Sequence, residues 1–208
     1  MMRLSLLLLS TSISQRTATM MNRNAKNILD DSSRRMFDAG FTERTDLEQY
    51  FWTEETVNKL VESLRYTEDC CCLTTPSLGH GFYKVDRDEV VLDIDTRFDY
   101  LPKFRYFDIL SPSSQEEDFS IIIMDPPFFY IPMQEILEAV MVITKGRTNV
   151  KLMIGFLKRE ERELLQVFSD FQLKPTSFQL EYATVKPNKW KNYVLYSNVD
   201  LPGIKRRV

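Results

Sequence analysis

The feature that most constrains this chain is the run Ile121-Ile122-Ile123-Met124 followed at once by Asp125-Pro126-Pro127-Phe128. Consecutive large apolar residues without polar alternation predict a strand covered on both faces, the pattern of a central strand in a parallel sheet. Two prolines then close it off, because each lacks an N–H, fixes its own φ and restricts the residue before it. A stiff turn therefore follows a buried strand, with an acid at the joint. Ligands of parallel α/β sheets bind beyond the carboxyl ends of the strands. Asp125 stands where chemistry is expected.

The surrounding sequence supplies a sheet for that strand. Strands are predicted at 70–74, 90–94, 104–107, 119–124 and 150–156, with two more near 177–182 and 193–196. Thr53 is placed to cap a helix whose first turn holds Glu54 and Glu55, and Val57, Leu60, Val61 and Leu64 share one face of it. A second helix over 133–144 points Ile136, Leu137, Val140 and Met141 inward and stops at Gly146. A third, over 158–169, is charged along its first half, with Leu164, Leu165 and Phe168 on its apolar side. Between the first two strands, residues 86–89 leave little room for a full helix. Strands alternating with helices predict an α/β, Rossmann-like fold with a mostly parallel sheet.

At 208 residues the chain suits one such domain. The expected organisation is an N-terminal segment 1–28 and a single domain 29–208. The N-terminal segment is basic, acid-free and rich in Ser and Thr, which fits an organelle-targeting peptide, a tail, or a start placed too early, since Met20-Met21 offers another. Its apolar run from Leu4 to Leu9 is far too short to span a bilayer, so no membrane anchor is expected. Beyond residue 29, 23 basic residues face 30 acids. That balance disfavours a large nucleic-acid footprint, which draws on phosphate neutralisation. Cys70-Cys71-Cys72 lack the spacing of a zinc knuckle and read as a reduced strand. With His80 as the one histidine, no metal site and no histidine-based triad is expected.

The Asp125–Phe128 turn suits amine chemistry. The carboxylate and a proline carbonyl can both accept from an amino nitrogen and so aim its lone pair at an electrophilic methyl group. Phe128 can pack on a planar base or line a channel for an alkyl amine. Catalysis of that kind is mainly positioning and electrostatics.

Asp-Pro-Pro-Phe resembles the [Asp/Asn/Ser]-Pro-Pro-[Tyr/Phe/Trp] signature of amino-directed methyltransferases. The wider order of elements is similar to the N6-adenine-methyltransferase-like family that includes the lysine methyltransferases of translation elongation factor 1A. Those elements are Gln49-Tyr50-Phe51-Trp52, Thr75-Pro76-Ser77, Asp95-Thr96-Arg97-Phe98, Tyr106-Phe107-Asp108, the Pro-Pro turn and Asn188-Lys189-Trp190. The resemblance spans roughly residues 46–200. It implies a seven-stranded class I methyltransferase sheet with an antiparallel C-terminal hairpin, and S-adenosylmethionine as donor. It also implies catalytic roles for Asp125, Pro126, Pro127 and Phe128, and donor contacts from Thr75, Pro76 and Ser77. Asp95 would take the ribose hydroxyls and Asp108 the adenine amino group. Phe51, Trp52, Asn188 and Trp190 would border the acceptor pocket. The Gly-x-Gly-x-Gly loop usual after the first strand is missing, and Lys189 stands where the family often has an acid.

Three functions follow from this resemblance. The leading one is protein-lysine N-methylation of elongation factor 1A, by a cytoplasmic monomer unless residues 1–28 direct it to an organelle. The second is N6-adenine methylation of RNA or DNA, less expected because of the acidic body. The third is a methyltransferase fold that has lost catalysis and serves as a binding protein.

Overall fold

The computed structural model describes residues 41–207. The expected boundary near residue 28, and the targeting reading of residues 1–28, lie outside the described residues.

From Glu43 onward the chain forms one compact unit around a seven-stranded sheet of order β3-β2-β1-β4-β5-β7-β6. The strands are β1 (Cys70–Leu73), β2 (Val90–Asp93), β3 (Phe104–Tyr106), β4 (Ile121–Met124), β5 (Lys151–Leu157), β6 (Lys174–Pro175) and β7 (Tyr193–Ser197). β1 to β5 are parallel where they pair, and β7 runs antiparallel to both of its neighbours. Among the described residues four α-helices accompany them: α1 (Glu54–Ser63), α2 (Pro76–Lys84), α3 (Met133–Ile143) and α4 (Glu161–Val167). The predicted fold class is the one observed.

β4 lies between β1 and β5, with Ile121 opposite both Cys70 and Lys151. All four of its residues are buried, as are all four of β1. Alternate residues serve opposite faces. Cys71, Leu73, Ile122, Met124, Leu152 and Ile154 pack in one core with Ile136, Ala139 and Val140 of α3 and with Leu164 and Phe168 at α4. α1 and α2 pack on each other, and α2 lies against β1 and β2. The three cysteine thiols are free and buried, and burial pushes the Cys70 thiol up to about 12. They are inert packing groups.

Local signals explain the element ends. The Thr53 hydroxyl accepts from the Thr56 amide at 3.2 Å, the expected cap of α1. Gly146 follows α3 with φ +78°, a conformation open to glycine without strain.

Three expectations need correction. A full helix, α2, does join β1 to β2, because it starts at Pro76 directly after the strand; proline is well placed at a first helical position. The stretch that reads as a departed glycine loop is therefore mostly helix, and His80 sits on it with Nδ1 2.8 Å from the Tyr100 hydroxyl. The strand expected near 177–182 is instead β6 at Lys174–Pro175, and Tyr182 makes only a lone bridge to Trp52. The charged helix of 158–169 is shorter than its pattern, with α4 flanked by 3-10 turns at Lys158–Glu160 and Ser169–Phe171.

Gly79 and Gly81 have a packing purpose. A Cβ at Gly79 would collide with Val91 of β2, and one at Gly81 with Val57 of α1. Gly79→Ala is expected to lower stability by about 1–3 kcal/mol through overpacking. A lower urea midpoint at unchanged slope is the result that checks it.

Candidate active site

The carboxyl ends of β1, β2 and β4 open into one cleft. It is lined by Thr74–Ser77 after β1, Asp93 and Ile94 at the end of β2, and Asp125 and Pro127 after β4; the segment 47–52 crosses above them as a strap. The cleft is narrow, with room for about 50 Å³.

Two neighbouring strap residues reach in different directions. Glu48 adopts a left-handed backbone, φ 52°. Its carboxylate accepts from the Phe129 amide at 2.9 Å through both oxygens and from the Tyr130 amide at 3.3 Å. These are among the first amides after the two N–H-less prolines, so Glu48 anchors the loop that carries Asp125. Burial raises the Glu48 pKa, partly offset by those amide bonds. Gln49 reaches the other way and donates to Asp95 Oδ2 at 3.0 Å, while its own oxygen accepts from Arg97.

Asp95 is already engaged by protein groups. Arg97 Nε and Nη2 donate to its carboxylate at 2.6–3.0 Å, and the Arg97 amide adds a cap at 3.1 Å. Burial pushes this carboxyl up, but the Arg97 and Gln49 bonds outweigh burial and leave it below its ordinary value. Asp95 ties down the strap and does not line the cleft. Two residues earlier, Asp93 does line it, with Oδ1 accepting from the Asp95 amide at 2.8 Å. Burial, helped by the nearby Asp95 charge, raises Asp93 to about 7 against the amide bonds it accepts and the more distant Arg97 charge.

Asp125 is half-buried because one side opens to the cleft, while its carboxyl sits deep among protein atoms. Tyr182 donates to Oδ1 at 3.1 Å. The buried Trp52 indole N–H lies beside the pair and acts on both as a donor would, though its geometry falls short of a full hydrogen bond. Desolvation dominates, and with Glu48 nearby it raises Asp125 to about 8 against the opposing Tyr182 bond and the nearby Trp52 N–H.

Of the expected site residues, the structure brings Phe51, Trp52, Thr75, Pro76, Ser77, Asp125 and Pro127 together around the cleft. Pro126 is buried behind the turn, and Phe128 packs its ring on Phe156 at 5.0 Å and Phe129 at 4.8 Å. Asp108, Asn188 and Trp190 do not line the cleft. Asp108 caps the Leu110 amide, Asn188 is exposed, and the Trp190 indole donates to the carbonyls of Val185 and Tyr182. Glu48, Asp93, Tyr182 and Tyr193 escaped the sequence reading. Only Asp93 carried a signal, as the last acid inside a predicted strand.

Where a glycine loop is usual, Thr74 takes φ 53°, a left-handed conformation unfavourable to a β-branched residue. The turn is thus made without glycine, at some strain. A parallel sheet of this order, a backbone turn leading into the N-terminus of α2, an acid at the end of β2 and an Asp-Pro-Pro-Phe turn after β4 together form a donor site that suits S-adenosylmethionine. The fold and site define a class I, S-adenosylmethionine-dependent methyltransferase.

Comparison with known proteins agrees. Residues 43–201 match the family described as "Probable N6-adenine methyltransferase", and the chain belongs to that family. No curated protein matches the chain. Similar solved structures include a TehB-like SAM-dependent methyltransferase from Corynebacterium glutamicum, 16% identical over 73% of this chain and 88% of that one, with TM-score 0.47. A candidate RNA methyltransferase from Pyrococcus horikoshii is 16% identical over 80% and 91%, with TM-score 0.49. The geranyl diphosphate C-methyltransferase of Streptomyces coelicolor, solved with S-adenosyl-L-homocysteine, is 9% identical over 74% and 81%, with TM-score 0.42. Among the described residues no helix is long and apolar enough to cross a membrane, and no cluster of His, Cys, Asp or Glu could hold a metal.

The raised carboxyls make stability depend on pH. A carboxyl whose folded pKa exceeds its unfolded value stabilises fully below the unfolded value and loses that contribution as pH rises through the folded one. For Asp93 and Asp125 the loss runs from about pH 4 to about 7 and 8 respectively. The urea midpoint should fall between pH 5 and pH 8, and fall less in Asp125→Asn, which has no proton to lose. Equal slopes in the two proteins would contradict the assignment.

Proposed function

We propose that this methyltransferase acts on protein lysine, with translation elongation factor 1A as substrate, and that it works in the cytoplasm as a monomer. The choice of elongation factor 1A rests on the family resemblance of the strap, the Asp95–Phe98 segment and the Pro-Pro turn.

The single observation that carries the lysine reading is a desolvated carboxyl, Asp125, that opens to the cleft while Tyr182 holds one of its oxygens. A lysine arrives as an ammonium and must lose a proton before it can attack, whereas an adenine amino group is neutral from the start. Asp125 is raised to about 8 and opens to the cleft, so its ionised form, whose share grows as pH rises toward 8, is a stronger base than an ordinary carboxylate. A proton passing from the ammonium to Asp125 breaks an N–H bond and forms an O–H bond, leaving the electron pair on nitrogen. In a poorly hydrated site the neutral amine and acid are favoured over the separated charges. S-adenosylmethionine, when bound, supplies the electrophilic methyl group on a positively charged sulfur.

Nearby groups suit an amine. Tyr193, whose ring lies 4.6 Å from that of Tyr182, is close enough to Asp125, Tyr50 and Glu48 to feel each electrostatically. Tyrosine faces and two carboxyls attract an ammonium. In donor binding, Asp93 is the acid free to accept from the ribose hydroxyls, taking the task that the resemblance places on Asp95. Thr75, Pro76 and Ser77, at the start of α2, are placed for the methionine portion. Asp108, Asn188 and Trp190 serve at most from outside the cleft as it stands.

One observation favours adenine in a nucleic acid instead. Lys186, Lys189 and Lys191 are exposed beside Trp190, and a row of cations next to an aromatic suits phosphates and a base.

Extract incubated with the enzyme and methyl-labelled donor should show one labelled protein at the mass of elongation factor 1A, with label lost in Asp125→Ala by about 100-fold or more. Label in RNA or DNA that declines steeply with salt would replace the lysine reading with the adenine one. Failure of the folded protein to bind donor would leave only a binding protein.

A further inference from the structure

The Asp125 carboxyl is held from the side away from the cleft. Gly155 of β5 lies next to it; a Cβ there would stand 2.6 Å from Asp125 Oδ1 and 3.1 Å from Leu180. Any residue but glycine would push the carboxyl toward the cleft or turn it. On the same oxygen Tyr182 places its hydroxyl, donating at 3.1 Å. Tyr182 is itself immobilised: it is buried, its backbone bridges to Trp52, its carbonyl accepts from the Trp190 indole, and its ring packs on Tyr193. Neither Gly155 nor Tyr182 lines the cleft.

We propose that Gly155 and Tyr182 form a socket that commits Asp125 Oδ1 inward and presents Oδ2 to the acceptor nitrogen, with Tyr182 as the positioning residue. The inference rests on Asp125 as the proton acceptor of amine methylation. Committing one oxygen fixes the carboxyl plane, so the proton leaves the ammonium along one direction, and the lone pair it leaves behind has a set orientation. The Tyr182 bond also stabilises the ionised carboxylate, the form that accepts the proton. The other groups facing Asp125 are the Trp52 indole, the Glu48 carboxylate and the Tyr193 hydroxyl, with Arg159 acting on Tyr193. None of them contacts Oδ1 as Tyr182 does.

The test uses the full chain as Tyr182→Phe, Gly155→Ala and Asp125→Ala. S-adenosylmethionine affinity is measured by calorimetry, and transfer to purified elongation factor 1A is followed across pH 6–10. Tyr182→Phe keeps the ring and removes one donor. It should bind the donor within about twofold, lose roughly 10-fold in kcat with little change in KM, and shift the rising limb of its pH profile upward. Gly155→Ala should also bind the donor and lose roughly 100-fold in transfer. A Tyr182→Phe enzyme with the wild-type pH profile and rate, beside an inactive Asp125→Ala, would overturn the socket and leave Asp125 in its role. Equal loss of donor binding and transfer in Tyr182→Phe would overturn it too, by making the tyrosine a packing residue. An active Asp125→Ala would instead remove the reading on which the socket rests.

Discussion

With no polar residue on either face, β4 is stable only with a strand on each side and helices above and below. β1 and β5 supply the strands, and α3 packs its apolar stripe on Ile122 and Met124. Because the apolar run stops at Met124 and two prolines follow, the chain cannot extend the ladder and must turn. The turn falls at the middle of the carboxyl edge of the sheet, with β1 and β2 on one side and β5 and β7 on the other. Hydrophobic burial thus determines where Asp125 stands, and proline stiffness determines how its carbonyls point.

Three acids near the cleft show how environment separates residues of one type. Asp95 has a guanidinium and is held below its ordinary pKa. Asp93 and Asp125 make no ion pair among the described residues, and desolvation raises both. A paired acid is a structural tie, since its acceptor capacity is spent. An unpaired acid at a cleft is destabilising to the fold and is the kind of group associated with binding or proton transfer. The arrangement engages Asp95 with Gln49 and Arg97 and leaves Asp93 and Asp125 lining the cleft.

The strap joins the halves of the site through adjacent side chains. The left-handed backbone at Glu48 lets Glu48 hold the amides after the Pro-Pro turn while Gln49 holds Asp95 and Arg97. The loop that carries Asp125 and the Asp95–Arg97 pair are therefore tied to the same two residues. Coupling of this sort needs no long pathway, because one dipeptide touches both sides.

The strand run, the proline turn, the capped helix before β1 and the alternation of elements were all legible in the sequence, because each depends on local periodicity or backbone chemistry. So was the Asp125 motif, whose signal is contiguous. Where local signals were weak the reading slipped: α2 starts at a proline directly after a strand and hides inside what reads as a loop, and the 177–182 segment has strand composition but only a lone bridge. What the tertiary structure alone decided was which side chains meet. Gly155 and Tyr182 lie 30 and 57 residues from Asp125, and Glu48 lies 81 from the amide it holds. No spacing along the chain encodes those approaches. They arise from sheet order, which brings β5 beside β4 and the segments before α1 and after β6 across its end, and from packing that leaves room for a carboxyl only where a side chain is missing.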